Sequence, residues 1–198
     1  MRPLIIASKN QGKIDEFKDL LHEYDIEVKS LLDYEDLPDI EETGTTFHEN
    51  AELKAKTIGN LLECPVIADD SGLMIDALEG RPGVYSARYA GEETDDKKNN
   101  LKVLKEMENV DENDRSARFI AVLAFYRPGE DIIFKEGYCE GEITFGERGK
   151  NGFGYDPIFI PKGYTKTMGQ LKPYEKNFIS HRADALHQFK KWLKKHGL

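Results

Sequence analysis

The chain has 198 residues, 33% of them charged and 39% hydrophobic, with a formal net charge of −9. That length holds one domain or two small lobes around a real core. The acidic balance argues against a duplex-binding surface, which needs a basic patch to release counterions, and no run approaches the ~18 apolar residues of a membrane span.

The two cysteines, Cys64 and Cys139, make neither a disulfide scaffold nor a zinc site. The opening MRPLIIASKNQGK has too few apolar residues for a secretory signal, so a cytoplasmic protein is expected. The one dense basic cluster, Lys190-Lys191 to Lys194-Lys195-His196, reads as cations favoured at a helix C-terminus.

Leu4 to Ala7 predicts a short buried strand. A polar loop follows, Ser8-Lys9-Asn10-Gln11-Gly12-Lys13, and then a helix with Ile14, Phe17, Leu20, Leu21 and Tyr24 on one face. The N–H groups at such a helix start, with Lys9 and Lys13, make a candidate anion site. The spacing is not a Walker motif, and a plain capped βα turn stays open as the alternative.

A strand is expected at Ile26 to Val28, then an acidic loop from Asp33 to Asp39. Thr46 and Glu49 fit a capping box. The helix it starts carries Phe47, Ala51, Ala55, Ile58 and Leu62 on its apolar side, leaving Asn50, Lys54 and Lys56 on the opposite, solvated side. Glu41 and Glu42 precede this helix, where its dipole favours acids.

Pro65-Val66-Ile67-Ala68 predicts a strand that ends in paired acids and a turn, Asp69-Asp70-Ser71-Gly72. Adjacent carboxylates repel unless a cation or proton sits between them, and hard oxygen ligands suit Mg²⁺. A solvated turn is the alternative. Side chains alternate along an extended segment, so Asp69 and Asp70 should point to opposite sides.

Leu73 to Leu78 alternates as a second short strand, and Gly80-Arg81-Pro82-Gly83 is a turn. Leu101, Leu104 and Met107 mark a helix ending near Asn109. Ser116 to Tyr126 and Ile132 to Phe145 predict a long antiparallel hairpin in the sheet centre. Gly146 to Asp156 is a glycine-rich, aromatic loop, and Pro157 to Ile160 a last strand. A loop with Lys162, Lys166, Lys172 and Lys176 leads to Ser180-His181-Arg182. The final helix has Ala183, Leu186, Phe189 and Leu193 on its apolar face.

The groups at strand ends and helix starts are complementary. Glu41, Glu42, Asp69 and Asp70 could hold Mg²⁺, and Lys9, Lys13, Lys54, Lys176 and Arg182 could hold phosphates. Phe153, Tyr155 and His181 could stack on a base. No Ser-His-Asp or Cys-His set is arranged for covalent catalysis. Metal-assisted attack by water on a phosphoryl group is the chemistry these residues favour.

Five blocks, SKNQGK, EETGTTFHENAELKAK, ADDSGLMIDALEGRPGVYSARYAG, GFGYDPIFIP and EKNFISHRADAL, occur in order from Leu4 to Leu186. Together the chain resembles the inosine/xanthosine triphosphate pyrophosphatase family. The resemblance implies an α/β fold over residues 1–198 as a single domain. Its long, mixed, twisted sheet with helices would form two lobes around an active-site cleft. It implies a homodimer that cleaves non-standard purine nucleoside triphosphates, with Mg²⁺, to a monophosphate and pyrophosphate.

By the same resemblance, Ser8, Lys9, Asn10, Gln11, Gly12 and Lys13 form the triphosphate loop. Glu42 and Asp70 hold the metal, Asp70 accepts the proton, Ser71 contacts substrate and Lys54 faces phosphate. Phe153, Gly154, Tyr155, Asp156, Lys176, His181 and Arg182 form the base pocket. Asp69 is left to orient a lysine or a backbone group. One departure from the family pattern is Gly169-Gln170-Leu171, where Ala-Glu-Leu or Ala-Glu-Met is usual; it puts the path of that loop in doubt. A modified-pyrimidine pyrophosphatase of related fold and a nucleotide-binding module that does not cleave are the competing readings.

Overall fold

The structure, a computed structural model, describes residues 3–22, 26–91 and 94–197. Tyr24, expected on the first helix face, lies outside them. The elements are β1 (Leu4–Ile6), α1 (Gln11–Leu21), β2 (Val28–Ser30), α2 (Phe47–Leu62), β3 (Val66–Ile75), α3 (Asp96–Glu106), β4 (Ser116–Tyr126), β5 (Ile133–Ile143), β6 (Phe159–Pro161), α4 (Pro173–Ile179) and α5 (His181–His196). The strands form one six-stranded mixed sheet in the order β2-β1-β3-β4-β5-β6. β1 runs parallel to β2 and to β3, with Ile6 opposite Ser30 and Ile67, and β5 is antiparallel to β6.

The chain divides into two compact units. The first comprises Met1–Asp70, Ala121–Gly137 and Arg182–Leu198; the second comprises Ser71–Ile120 and Tyr138–His181. The core of the first packs Ile14, Phe17 and Leu21 of α1 and Leu186, Phe189 and Leu193 of α5 with Leu4, Ile6 and Ile67. Phe125, Phe189 and Trp192 add tilted and stacked ring pairs. Burying each such side chain stabilises by about 1.5–3 kcal/mol. The core of the second packs Leu73, Ile75, Phe119, Ile143, Ile158 and Phe159 with Val103 and Met107 at α3.

Five expectations need correction. The strand expected at Ile26 to Val28 starts only at Val28 and runs to Ser30, set by its pairing with Leu4–Ile6. Asp69-Asp70-Ser71-Gly72 is not a turn: it lies inside β3, whose ten residues run unbroken. β1 pairs with β3 only at Val66 and Ile67, but β3 continues as a strand beside β4, and this sheet context outweighs the local turn preference of Asp, Ser and Gly. The strand expected over Leu73 to Leu78 ends at Ile75 and turns into a 3₁₀ segment, Asp76–Leu78. The last strand starts at Phe159, because Pro157 has no N–H for a ladder and sits in a 3₁₀ turn, Asp156–Ile158. Lys172 to Lys176 is not all loop. Pro173 sets the first turn of α4, and Lys172 and Glu175 close a capping box.

Candidate active site

The paired acids of β3 diverge, as alternation requires. Both are almost fully buried, at 3% and 4% exposed. Asp69 turns to one set of cations. Its Oδ2 lies 3.1 Å from Lys13 Nζ and accepts from Arg182 Nε and Nη2 at 3.3 Å each. Arg182 Nη1 donates to Glu16.

Asp70 turns to α2. Its Oδ2 accepts from Asn50 Nδ2 at 2.9 Å, and its Oδ1 lies 3.9 Å from Lys54 Nζ. Lys54 Nζ also donates to Glu42 Oε1 and to the Asp69 carbonyl, each at 2.6 Å. One ammonium is thus shared by two carboxylates and a carbonyl.

The protonation energies follow from this layout. Burial alone would raise the Asp69 carboxyl, but Lys13, Arg182 and Lys54 overcome it and hold Asp69 well below the carboxylate range. Asp70 shifts the other way. Burial is the main cause, and the Glu42 charge adds to it against the pull of Lys54. Burial opposes the Lys54 charge, yet Asp70, Glu42 and Asp69 together raise its pKa. The two neighbouring acids thus differ in how firmly their surroundings hold the charge, Asp69 more tightly than Asp70.

Local sequence chemistry sets these positions. Asn10 caps α1 by accepting from the Lys13 N–H at 3.2 Å, and the Ser8 Oγ accepts from the Asn10 N–H at 3.1 Å. This fixes the Ser8–Lys13 loop at the α1 N-terminus, where the helix dipole favours an anion. Lys9 Nζ pairs with Asp39 at 2.5 Å, and Gln11 Nε2 donates to Asp15 at 2.6 Å. On α2 the expected capping box is present: Thr46 Oγ1 accepts from the Glu49 N–H, and Glu49 Oε2 accepts from the Thr46 N–H. Asn50 Oδ1 accepts from the Gly44 N–H at 2.7 Å while its Nδ2 holds Asp70. The loop that carries Glu42 is thereby tied to the same amide that orients Asp70.

In the second unit, Ser71 is half-buried. The Phe153–Asp156 loop folds around one carboxylate. Asp156 Oδ2 accepts from the Phe153 N–H at 3.0 Å and from Lys176 Nζ at 2.7 Å. The Lys176 ammonium lies 4.4 Å from the centre of the Phe153 ring, a cation–π distance. Gly152 must be glycine: its φ is +75°, and a Cβ would stand 2.0 Å from Asp156 Oδ2. Tyr155 is buried and donates its hydroxyl to the Ser86 carbonyl at 2.7 Å. The His181 imidazole stacks on Phe119 at 4.9 Å.

Lys13, Glu42, Lys54, Asp69, Asp70 and Arg182 are brought together in the first unit. Phe153, Tyr155, Asp156 and Lys176 share one neighbourhood in the second. Arg182, next to His181 in sequence, is built into the Asp69 and Glu16 carboxylates. The expectation that Lys54 lies on a solvated helix face is wrong: it is 8% exposed. The reason is that Glu42 and the Asp69 carbonyl cover the polar side of α2. The same error hid Asn50, which is fully buried. Its signal was present as a poor helix former one turn before a lysine inside a strong helix. Glu16, buried on α1, was not singled out by the sequence, where nothing distinguishes it from a surface acid. Gly169 lies in a 3₁₀ turn, Met168–Gln170, where a Cβ would sit 3.0 Å from the Arg148 carbonyl oxygen and from Pro157 Cα.

The chain is similar to known proteins over nearly its whole length. A dITP/XTP pyrophosphatase of Oceanobacillus iheyensis is 60% identical over 98% of this chain and 98% of its own length. One of Bacillus subtilis is 52% identical over 98% of each. The structure of a HAM1 protein from Coxiella burnetii superposes with a TM-score of 0.89 at 43% identity, covering 98% of this chain and 100% of its own. Residues 4–192 match the Ham1 family, and with the same mixed sheet seen in its solved members the chain belongs to that family.

Proposed function

We propose that the protein hydrolyses non-standard purine nucleoside triphosphates, inosine and xanthosine triphosphates and dITP among them, to the monophosphate and pyrophosphate. The observation that carries this reading is the Glu42–Lys54–Asp70 cluster: two carboxylates on one buried ammonium, one with its pKa raised. The relatives named dITP/XTP pyrophosphatase support the substrate class.

Glu42 and Asp70 fit Mg²⁺. Both offer hard carboxylate oxygens, and burial beside Glu42 disfavours the charged form of Asp70 unless more positive charge arrives. Among the described residues no third acid, His or Cys joins them, which matches a site completed by water and substrate phosphates rather than a closed protein cage. When bound, Mg²⁺ neutralises charge developing on the phosphates.

The chain's own residues supply the rest. Asp70 takes the proton of the attacking water, with Asn50 holding its other oxygen still. Lys54 balances the acids and offers positive charge to phosphate. Asp69 holds Lys13 at the end of the triphosphate loop, and Arg182 and Glu16 fix Asp69 in turn. Lys176 and the Phe153–Asp156 loop recognise the base. A lysine ammonium donates to the 6-oxo group of hypoxanthine or xanthine but meets another donor in the adenine 6-amino group, a mismatch that can be worth ~10⁴-fold. A cytoplasmic homodimer completes the proposal.

The test is pyrophosphate release from inosine, xanthosine, guanosine and adenosine triphosphates, each with and without Mg²⁺. Release that is fast on the first two and requires the metal is expected. Equal rates on all four would sink the specificity.

A further inference from the structure

We propose that Asp96 and Asn100 of α3 are positioning residues that set purine selectivity by holding the Phe153–Asp156 loop through both sides of Gly154. The inference rests on the reading of that loop as base-binding. Asp96 Oδ2 accepts from the Gly154 N–H at 2.7 Å. Asn100 Nδ2 donates to the Gly154 carbonyl at 3.1 Å and to Glu147 Oε1 at 3.3 Å. The two side chains are four residues apart, so they leave the helix on one face. Both hydrogen-bonding groups of this glycine are thus taken by a single rigid element.

Two further observations make this a device rather than incidental packing. Gly154 has a φ of +59°, yet nothing lies within 4 Å of where a Cβ would be. Glycine is therefore required there by backbone direction, which aims its N–H and carbonyl at α3, and not by lack of room. Asn100 is 2% exposed and its Oδ1 is buried with no hydrogen-bond partner. Leaving a buried acceptor unsatisfied is costly. Flipping the amide would set that oxygen against two acceptors, so the position is held for what its NH₂ group does.

α3 is itself anchored. The neighbouring Asn99 accepts from the Ala90 N–H at 2.7 Å and donates to the Ala87 carbonyl at 3.0 Å. On either side of Gly154 lie Phe153, whose N–H donates to Asp156, and Tyr155, whose hydroxyl is fixed on Ser86. A shift of the Gly154 peptide moves the Phe153 ring and the Asp156 carboxylate that holds Lys176. A displacement near 1 Å at a recognition site has large kinetic consequences.

The experiment measures kcat and KM for inosine and adenosine triphosphates in wild type, Asp96→Ala, Asn100→Asp, Asp96→Asn and Phe153→Ala, with thermal midpoints recorded alongside. Asp96 is exposed, so Asp96→Ala tests the idea even where the buried Asn100→Asp fails to fold. Asp96→Ala should lower the inosine-to-adenosine ratio of kcat/KM about tenfold, mainly through KM for inosine triphosphate. Asp96→Asn keeps an acceptor oxygen and should restore the ratio. If Phe153→Ala lowers the ratio while Asp96→Ala leaves it unchanged, or Asp96→Asn fails to restore it, the positioning role is overturned. If Phe153→Ala also leaves the ratio unchanged, the base-binding reading falls and takes the positioning role with it.

Discussion

At the scale of single residues, Asp69 and Asp70 show how neighbours of one type divide into two roles. Chemistry does not separate them; surroundings do. Asp69 faces two cations within 3.3 Å, so its charge is fixed in place. Asp70 accepts from the Asn50 amide and shares Lys54 with Glu42, and burial beside Glu42 leaves its charge held less tightly. Asn50 is the joint between Asp70 and the loop carrying Glu42. Replacing Asn50 with Ala leaves the Gly44 N–H and one Asp70 oxygen without this partner. Unfolding in urea should show a loss of about 1–3 kcal/mol, and pyrophosphate release from inosine triphosphate should fall with it. Unchanged release would separate Asn50 from the chemistry. Asn50 was visible in the sequence only as a polar position on a helix, and Lys54 was read as a phosphate-facing lysine whose burial and carboxylate partners were not foreseen, because solvation and pairing look alike until the partner is known.

At the scale of elements, strong local signals survived folding and weak ones were overruled. The α2 capping box, the capped start of α1 and the two long strands β4 and β5 all stand where residue patterns placed them. The turn expected at Asp69 to Gly72 was lost to β3, which runs on as a strand of the sheet beside β4, since a sheet ladder satisfies backbone groups that a turn would leave to solvent. α4 was not foreseen: a seven-residue helix has little periodicity to read, and its start depends on the Lys172 and Glu175 cap. The departure at Gly169 acquires a cause here. Its backbone runs against Arg148 and Pro157, while Gly149, at a φ of +88°, meets the Gly169 carbonyl. Gly169→Ala must push these segments apart and should cost about 1–3 kcal/mol in denaturant unfolding. A variant as stable as wild type would show that the 3₁₀ turn yields without penalty.

At the scale of the whole molecule, a chain of net charge −9 gathers Lys13, Lys54 and Arg182 beside Asp69 and Asp70 in one unit, and puts an aromatic, lysine-paired loop in the other. The proposed binding of a triphosphate is therefore a matter of local placement rather than of the overall field. Neither cysteine belongs to these clusters. Cys139 lies in the core of the second unit, and burial pushes its thiol up to about 12. The native state keeps that proton where an unfolded thiol near pH 8.5 has lost it. This contribution to stability is complete below about pH 8.5 and fades as pH rises toward 12. At pH 8 the folded protein should react with an aromatic disulfide reagent far more slowly at Cys139 than the urea-unfolded chain does. Equal rates would mean that the core around β5 opens readily.

The sequence alone determined the class of fold, the order of its main elements and, through five blocks in series, the family. It also determined that Asp69 and Asp70 diverge, because alternation along an extended backbone is a local rule. Only the tertiary structure decided what each acid faces. Lys13, Glu16, Asn50, Lys54 and Arg182 come from three helices, and Glu16 meets Arg182 across 166 positions of the chain. No local pattern encodes which buried charge meets which, since pairing energies depend on distance and desolvation that exist only after the elements have packed.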